Sequence, residues 1–295
     1  KTLQQQIDGI KGTGTVTLDK DYTEYVNIPK DSNITLDLNG HKISSGTTTI
    51  LNNGTLIVRD SSEKKNGVIE SMGNVGITAG ASTPNNIQAE EGAVITSYAT
   101  DATITIKDGV FTALDNAVVA GNGSPRDGNA NVITINGGTF TGNIKSAGYI
   151  ACGIYAPWKD IITVNGGNFT VNNGIGIVAR AGQVTVNGGT FTCTGSAKGG
   201  VGDKKFDMDA AQCVYFDASN PAYPAYNSET DYIKLQGGKF SSDVSAYVAK
   251  GYVQNENGTV EQLGETNAVA KVGDTYYKTL AEAVAAAAEK AVSRK

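Results

Sequence analysis

Five segments of the chain are near copies of one another: Ile104-Thr-Ile-Lys-Asp-Gly-Val-Phe111, Ile133-Thr-Ile-Asn-Gly-Gly-Thr-Phe140, Ile162-Thr-Val-Asn-Gly-Gly-Asn-Phe169, Val184-Thr-Val-Asn-Gly-Gly-Thr-Phe191 and Ile233-Lys-Leu-Gln-Gly-Gly-Lys-Phe240. A repeated strand, turn and strand cannot bury an apolar face alone, so each copy has to stack on its neighbours. The copies begin 29, 29, 22 and 49 residues apart (133−104, 162−133, 184−162, 233−184). That spacing leaves room for loops of different sizes. It predicts an all-β fold: a right-handed, single-stranded parallel β-helix, a solenoid with one copy per rung.

Alternation inside each copy sets the direction of the side chains. Ile133 and Ile135 face one side and Thr134 the other, because successive residues of a strand point to opposite faces. The Asn-Gly-Gly turn follows, and Phe140 opens the next strand. Phe111, Phe140, Phe169, Phe191 and Phe240 are therefore expected to point inward as an aromatic stack. Asn136, Asn165 and Asn187, with Asp108 and Gln236 as variants, share one turn position. Aligned amides of this kind form a structural hydrogen-bonded ladder from rung to rung.

Weaker copies lie toward the N-terminus. Ile34-Thr-Leu-Asp-Leu-Asn-Gly-His-Lys-Ile43 keeps the alternation and the turn, Leu56-Ile-Val-Arg-Asp60 with Gly67-Val-Ile69 is more degraded, and Val16-Thr-Leu18 supplies a still earlier strand. These three and the five clear copies make eight rungs, about 40 Å of rod at about 4.8 Å each. The intervals Leu56 to Ile104 and Val184 to Ile233 each read as one coil with a long excursion, with a hidden extra coil as the alternative.

The two ends echo each other. Lys1-Thr-Leu-Gln-Gln-Gln-Ile7 and Lys278-Thr-Leu-Ala-Glu-Ala-Val284 each predict a short amphipathic helix, the first covering the open end of the solenoid, where bare strand edges invite aggregation. Val253-Gln-Asn-Glu-Asn-Gly-Thr-Val260 predicts a closing hairpin around Asn257-Gly258. Residues 1–263 thus form the solenoid module with its cap and hairpin. Residues 264–295 are a linker and a helix that reads as the start of a following module.

Composition narrows the function. A net charge of −5 argues against nucleic acid, whose phosphates call for a basic stripe. No apolar run approaches the length of a membrane span, and no signal peptide is visible, as in a mature fragment. The three cysteines are an odd number. Cys152 and Cys213 read as similar positions on coils separated by Gly174-Ile-Gly-Ile-Val178, about 9.6 Å apart and beyond disulfide reach. Three free, mostly buried thiols are expected.

The phrases Ile34-Thr-Leu-Asp-Leu-Asn-Gly-His41, the repeated Asn-Gly-Gly-x-Phe, Phe240-Ser-Ser-Asp-Val-Ser-Ala-Tyr-Val248 and Val272-Gly-Asp-Thr-Tyr-Tyr-Lys-Thr-Leu-Ala-Glu-Ala-Val284 resemble the modular, pectate-lyase-like β-helix regions of large secreted or wall-attached, adhesin-like proteins of Gram-positive gut bacteria. The resemblance covers almost the whole chain. It implies architecture and an extracellular, cell-surface or secreted location, with adjacent modules of the same protein as partners. It carries over no catalytic residue and no cofactor.

Three functions compete on such a rod. A hydrolase needs converging carboxylates, and a calcium-dependent lyase needs an acidic cluster with an Arg or Lys beside the sugar. The outward strand positions are instead Thr105, Thr134, Thr163 and Thr185, with Lys107 and Lys234 nearby. Asp203, Asp207 and Asp209 read as a solvated loop, His41 as a turn residue, and Asp160, Arg180 and Asp217 as residues able to meet across neighbouring coils. Carbohydrate-active catalysis, by a polysaccharide lyase or glycoside hydrolase, is the alternative reading. Binding without turnover has better support. Tyr155, Trp158, Tyr215, Phe216, Tyr223 and Tyr226 form the candidate ligand surface for a glycan or host glycoprotein, because aromatic faces beside polar groups stack on sugars or on protein. Tyr155 and Tyr215 are expected on one side of the rod, two rungs apart, with Trp158 exposed beside them. No metal site is expected. The third reading is a rigid spacer.

Overall fold

The computed structural model describes residues 1–293 except 47–48, 72–76, 80–85, 92–95, 98–102, 107–109, 114–116, 121–130, 144–147, 158–159, 202–203 and 218–231. The chain opens with a helix, Leu3–Asp8, whose N-cap Thr2 and N3 residue Gln5 form a reciprocal capping box. Leu3 and Ile7 bury completely against the first strands. Gln4 donates from Nε2 to the Asn27 carbonyl at 2.8 Å and accepts the Asn27 N–H at 2.7 Å. One side chain thus satisfies both polar groups of an edge residue that no further strand pairs among the described residues.

Strands then alternate among faces. The first sheet has nine parallel strands: Thr13–Thr17, Asn33–Asp37, Thr55–Arg59, Asn86–Glu91, Thr103–Ile106, Asn131–Ile135, Asp160–Val164, Gln183–Val186 and Ile233–Leu235. The second has eight: Tyr22–Thr23, Lys42–Ser45, Val68–Ser71, Val110–Ala113, Thr139–Asn143, Asn168–Asn172, Thr190–Thr194 and Lys239–Phe240. Two further four-stranded parallel sheets hold Val26–Ile28, Ile50–Asn52, Ile77–Ala79 and Thr96–Ser97, and then Ala117–Ala120, Ala151–Ala156, Gly174–Ala179 and Val214–Phe216. Neighbours in a sheet are therefore one repeat apart in sequence. None of these sheets closes on itself among the described residues.

The repeat fixes the register. Ile104, Ile133, Ile162, Val184 and Ile233 pair in one file, and Phe111, Phe140, Phe169, Phe191 and Phe240 in another. Phe140, Phe169, Phe191 and Phe240 stack nearly parallel, with ring centroids 4.2, 4.5 and 5.1 Å apart. The side chain of Phe111 lies outside the described residues. Ile133, Ile135, Ile162, Val164, Val184 and Val186 are buried while Thr134, Thr163 and Thr185 are half-buried, as the alternation requires. The second glycine of each turn has φ between 92° and 108° at Gly138, Gly167, Gly189 and Gly238, a conformation that a β-carbon disfavours. The expected ladder is present: Asn165 donates to Asn136 at 2.7 Å and Asn187 to Asn165 at 2.9 Å. A second ladder lies seven residues on, where Asn172 donates to Asn143 and Thr194 to Asn172, both at 2.7 Å. Asp108 lies outside the described residues.

Two expectations need correction. The interval from Leu56 to Ile104 does contain a further strand of the first sheet, because Asn86–Glu91 pairs with both Thr55–Arg59 and Thr103–Ile106. It carries Ala89-Glu90-Glu91-Gly92 where the clear copies have their turn, so the repeat is invisible there. The interval from Val184 to Ile233 adds no strand to the first sheet, since Gln183–Val186 pairs directly with Ile233–Leu235. Cys152 and Cys213 do not occupy equivalent positions: Cys152 pairs with Ile175, whereas Val214 pairs with Ile177, so Cys213 falls opposite Gly176. A one-residue offset turns the two side chains to opposite faces of the sheet. All three thiols are free and buried, as expected.

At the C-terminal end, Tyr252–Gln254 and Val260–Gln262 form the expected antiparallel hairpin. Its Gly258 carbonyl accepts from Phe240 N–H at 2.9 Å, and Val260 N–H donates to Gly238 at 2.8 Å, which ties it to the last rung. A second hairpin, Ala270–Val272 with Thr275–Tyr277, precedes the helix Leu280–Val292. Thr279 caps that helix as Thr2 caps the first. Leu280 and Val284, which match Leu3 and Ile7 in the echo, are 65% and 60% exposed.

Candidate functional site

Every residue of Gly174–Ala179 is buried, on both faces of its sheet. The inner face belongs to the main core. The outer face lies under an antiparallel hairpin, Ala197–Val201 with Lys204–Met208, which arises from the long excursion. Ile150, Cys152, Ile175, Val178, Ala197, Val201 and Phe206 form a second apolar cluster there, edged by Tyr155, Met208 and Tyr215. The runs Ala151-Cys-Gly-Ile-Tyr-Ala156 and Gly174-Ile-Gly-Ile-Val-Ala179 lack a polar residue at every second position. Such runs mark strands covered on both sides.

The candidate residues meet where these strands end. Tyr155, Val178 and Tyr215 pair in register, so the two tyrosines share one side, two strands apart. Phe206 meets Tyr215 edge to face at 5.0 Å. Arg180 and Asp217 come next along their strands. Arg180 Nε lies 3.0 Å from Asp217 Oδ2, and Lys204 Nζ, from the hairpin, lies 3.3 Å from Asp217 Oδ1. Arg180 Nη1 also donates to Tyr155 Oη at 3.4 Å. Asp217 is only 2% exposed, and its backbone N–H donates to Ala179 at 2.9 Å. Burial alone pulls Lys204 down, but the Asp217 charge, followed by Tyr215, outweighs it and holds the ammonium above its ordinary value.

Two cations around one desolvated carboxylate form an electrostatic latch. Removing the carboxylate would leave two largely buried cations without their counter-charge, whereas either cation alone still balances it. The latch joins the hairpin to the sheet through Lys204, and the phenol of Tyr155 extends it by one hydrogen bond.

The sequence-predicted surface is thus divided. Tyr155 and Tyr215 are half-buried beneath the hairpin. Phe216 turns toward the main core, stacks on Tyr232 at 4.4 Å and donates its N–H to Tyr247 Oη at 3.2 Å. Trp158, Tyr223 and Tyr226 lie outside the described residues. Arg180 and Asp217 do meet across neighbouring strands. Asp160 is buried at the head of Asp160–Val164. Asp207 and Asp209 are solvated, as expected, but Asp207 lies in a hairpin strand with Asp209 just beyond it, and both pair with Lys198, at 2.9 and 2.8 Å. Asp203 lies outside the described residues. His41 sits in a turn, with Nδ1 3.4 Å from Asp21.

Lys204, Phe206 and the hairpin that brings them were not read from the sequence. Val201-Gly202-Asp203-Lys204 carried the signal, since Gly-Asp between two short strands marks a hairpin. Among the described residues no three His, Cys, Asp or Glu side chains converge as a metal site. No helix among them is long and apolar enough to cross a membrane. Compared with protein-family models, with curated proteins and with solved structures, the chain matches none.

Proposed function

We propose that the chain is a right-handed, single-stranded parallel β-helix module of an extracellular surface protein, of the pectate-lyase-like kind carried by Gram-positive gut bacteria. It holds its neighbours apart along a tandem array and makes contact with a glycan or host glycoprotein without turning it over. The observation that carries this reading is the repeated cap. Leu280–Val292 reproduces the start of the chain, yet presents exposed apolar residues where the first helix buries Leu3 and Ile7. Those residues fit the first coil of a following module, which makes residues 264–295 a junction.

The competing reading is a polysaccharide lyase or glycoside hydrolase. A glycan array on the purified chain, paired with assays for new reducing ends and for unsaturated sugar products, separates the two. Glycans retained and released unchanged support a contact module. Product formation above the protein-free blank overturns it.

A further inference from the structure

Two of the three thiols meet at the corner between the second sheet and the sheet beneath the hairpin. Cys193 lies in Thr190–Thr194, and Cys213 immediately precedes Val214–Phe216. Gly176 separates them: a β-carbon there would lie 3.0 Å from Cys193 Sγ and against the Cys213 carbonyl oxygen. The glycine leaves the space into which the Cys193 thiol projects. Ser241 touches both residues. Its Oγ accepts from Cys193 N–H at 2.8 Å and lies 3.4 Å from Cys213 Sγ. Cys213 N–H donates to Ser242 Oγ at 2.8 Å. Cys152 stands apart in the outer cluster, its thiol donating to Ile154 at 2.9 Å.

We infer that Cys193 and Cys213 are a disulfide-forming pair, which closes the segment bearing the latch hairpin into a covalent loop when the protein meets a thiol–disulfide oxidant. Cys213 Sγ lies 3.4 Å from both the Phe191 carbonyl oxygen and Ser241 Oγ. The thiolate of one cysteine of the pair attacks one sulfur of glutathione disulfide and releases one glutathione. The other cysteine then loses its proton and attacks the protein sulfur of that mixed disulfide, releasing the second. One disulfide forms, one breaks, and two electrons and two protons pass to glutathione. Both cysteines are buried, so the exchange is slow in the folded protein and fast while the last rungs close.

The test oxidises the full chain with glutathione disulfide, once folded and once during refolding from denaturant. Free thiols are then alkylated in denaturant without reduction and counted by intact mass. One label, on Cys152, is expected after oxidative refolding, and three after dithiothreitol. Peptide mapping should join the Cys193 and Cys213 peptides. Cys152→Ser should keep that cross-link with no label, and Cys213→Ser should lose it and take two. The oxidised chain should also melt several degrees higher than the reduced one, a difference absent in Cys193→Ser. Three labels under both oxidation regimes, or a cross-link that includes Cys152, would overturn the assignment.

Discussion

Phe169 is held between Phe140 and Phe191, at 4.2 and 4.5 Å, and is 1% exposed. Parallel backbone pairing on both sides fixes the rungs, so they cannot collapse into a void. Phe169→Ala should cost about 3–5 kcal/mol in urea denaturation, and Thr163→Ala, on the outer face, within about 0.5 kcal/mol. Equal losses would mean that the inward and outward sides are reversed. This scale was the most legible in the sequence, because a side chain that repeats at one offset must repeat its surroundings. The first asparagine ladder is legible in that way. The second, through Asn143, Asn172 and Thr194, carried the same signal but lay one strand beyond the motif. The aromatic candidates were harder, since Tyr155, Tyr215 and Phe216 each have an apolar body and a polar tip, and only the cover above them decides which is used.

Strands covered on both faces need close backbone approach, and Gly174 shows where. A β-carbon on Gly174 would overlap the carbonyl oxygen of Ala151 on the paired strand. Its φ is not positive, so space rather than backbone conformation demands glycine there. Gly174→Ala should destabilise by about 1–3 kcal/mol or more through forced backbone shifts. Gly264→Ala, with nothing within 4 Å of the new carbon, should stay within about 0.5 kcal/mol. Equal midpoints for the two variants in chemical denaturation would remove the close approach from the account. Elements were legible where a turn signature marked them. Asn86–Glu91 lacks one, so a hidden coil stands only as the alternative reading of that interval, although its pairing depends only on backbone groups that any sequence supplies. The hairpin over the outer face was announced by two runs without polar alternation, but which segment covered them is a long-range matter that periodicity does not encode.

At the scale of the whole molecule, the same short sequence has two fates. Leu3 and Ile7 are fully buried because strands follow them directly, whereas Leu280 and Val284 are exposed on a helix in which only Ala283 is buried. Helix propensity and the threonine cap form both helices, so the difference lies in what packs against the apolar face. Leu3→Ala should therefore destabilise the chain by about 2–5 kcal/mol, and Leu280→Ala by less than about 0.5 kcal/mol, each measured by urea denaturation. A tandem chain that continues past Val284 with residues 8–263 tests the junction. There, Leu280→Ala should destabilise the second unit as much as Leu3→Ala destabilises the first, and its amide hydrogens should exchange faster from the helix outward. A second unit that folds with the same midpoint whether or not Leu280 is present would show that the repeated cap does not seat on a following coil, leaving the helix as a surface element of this chain alone.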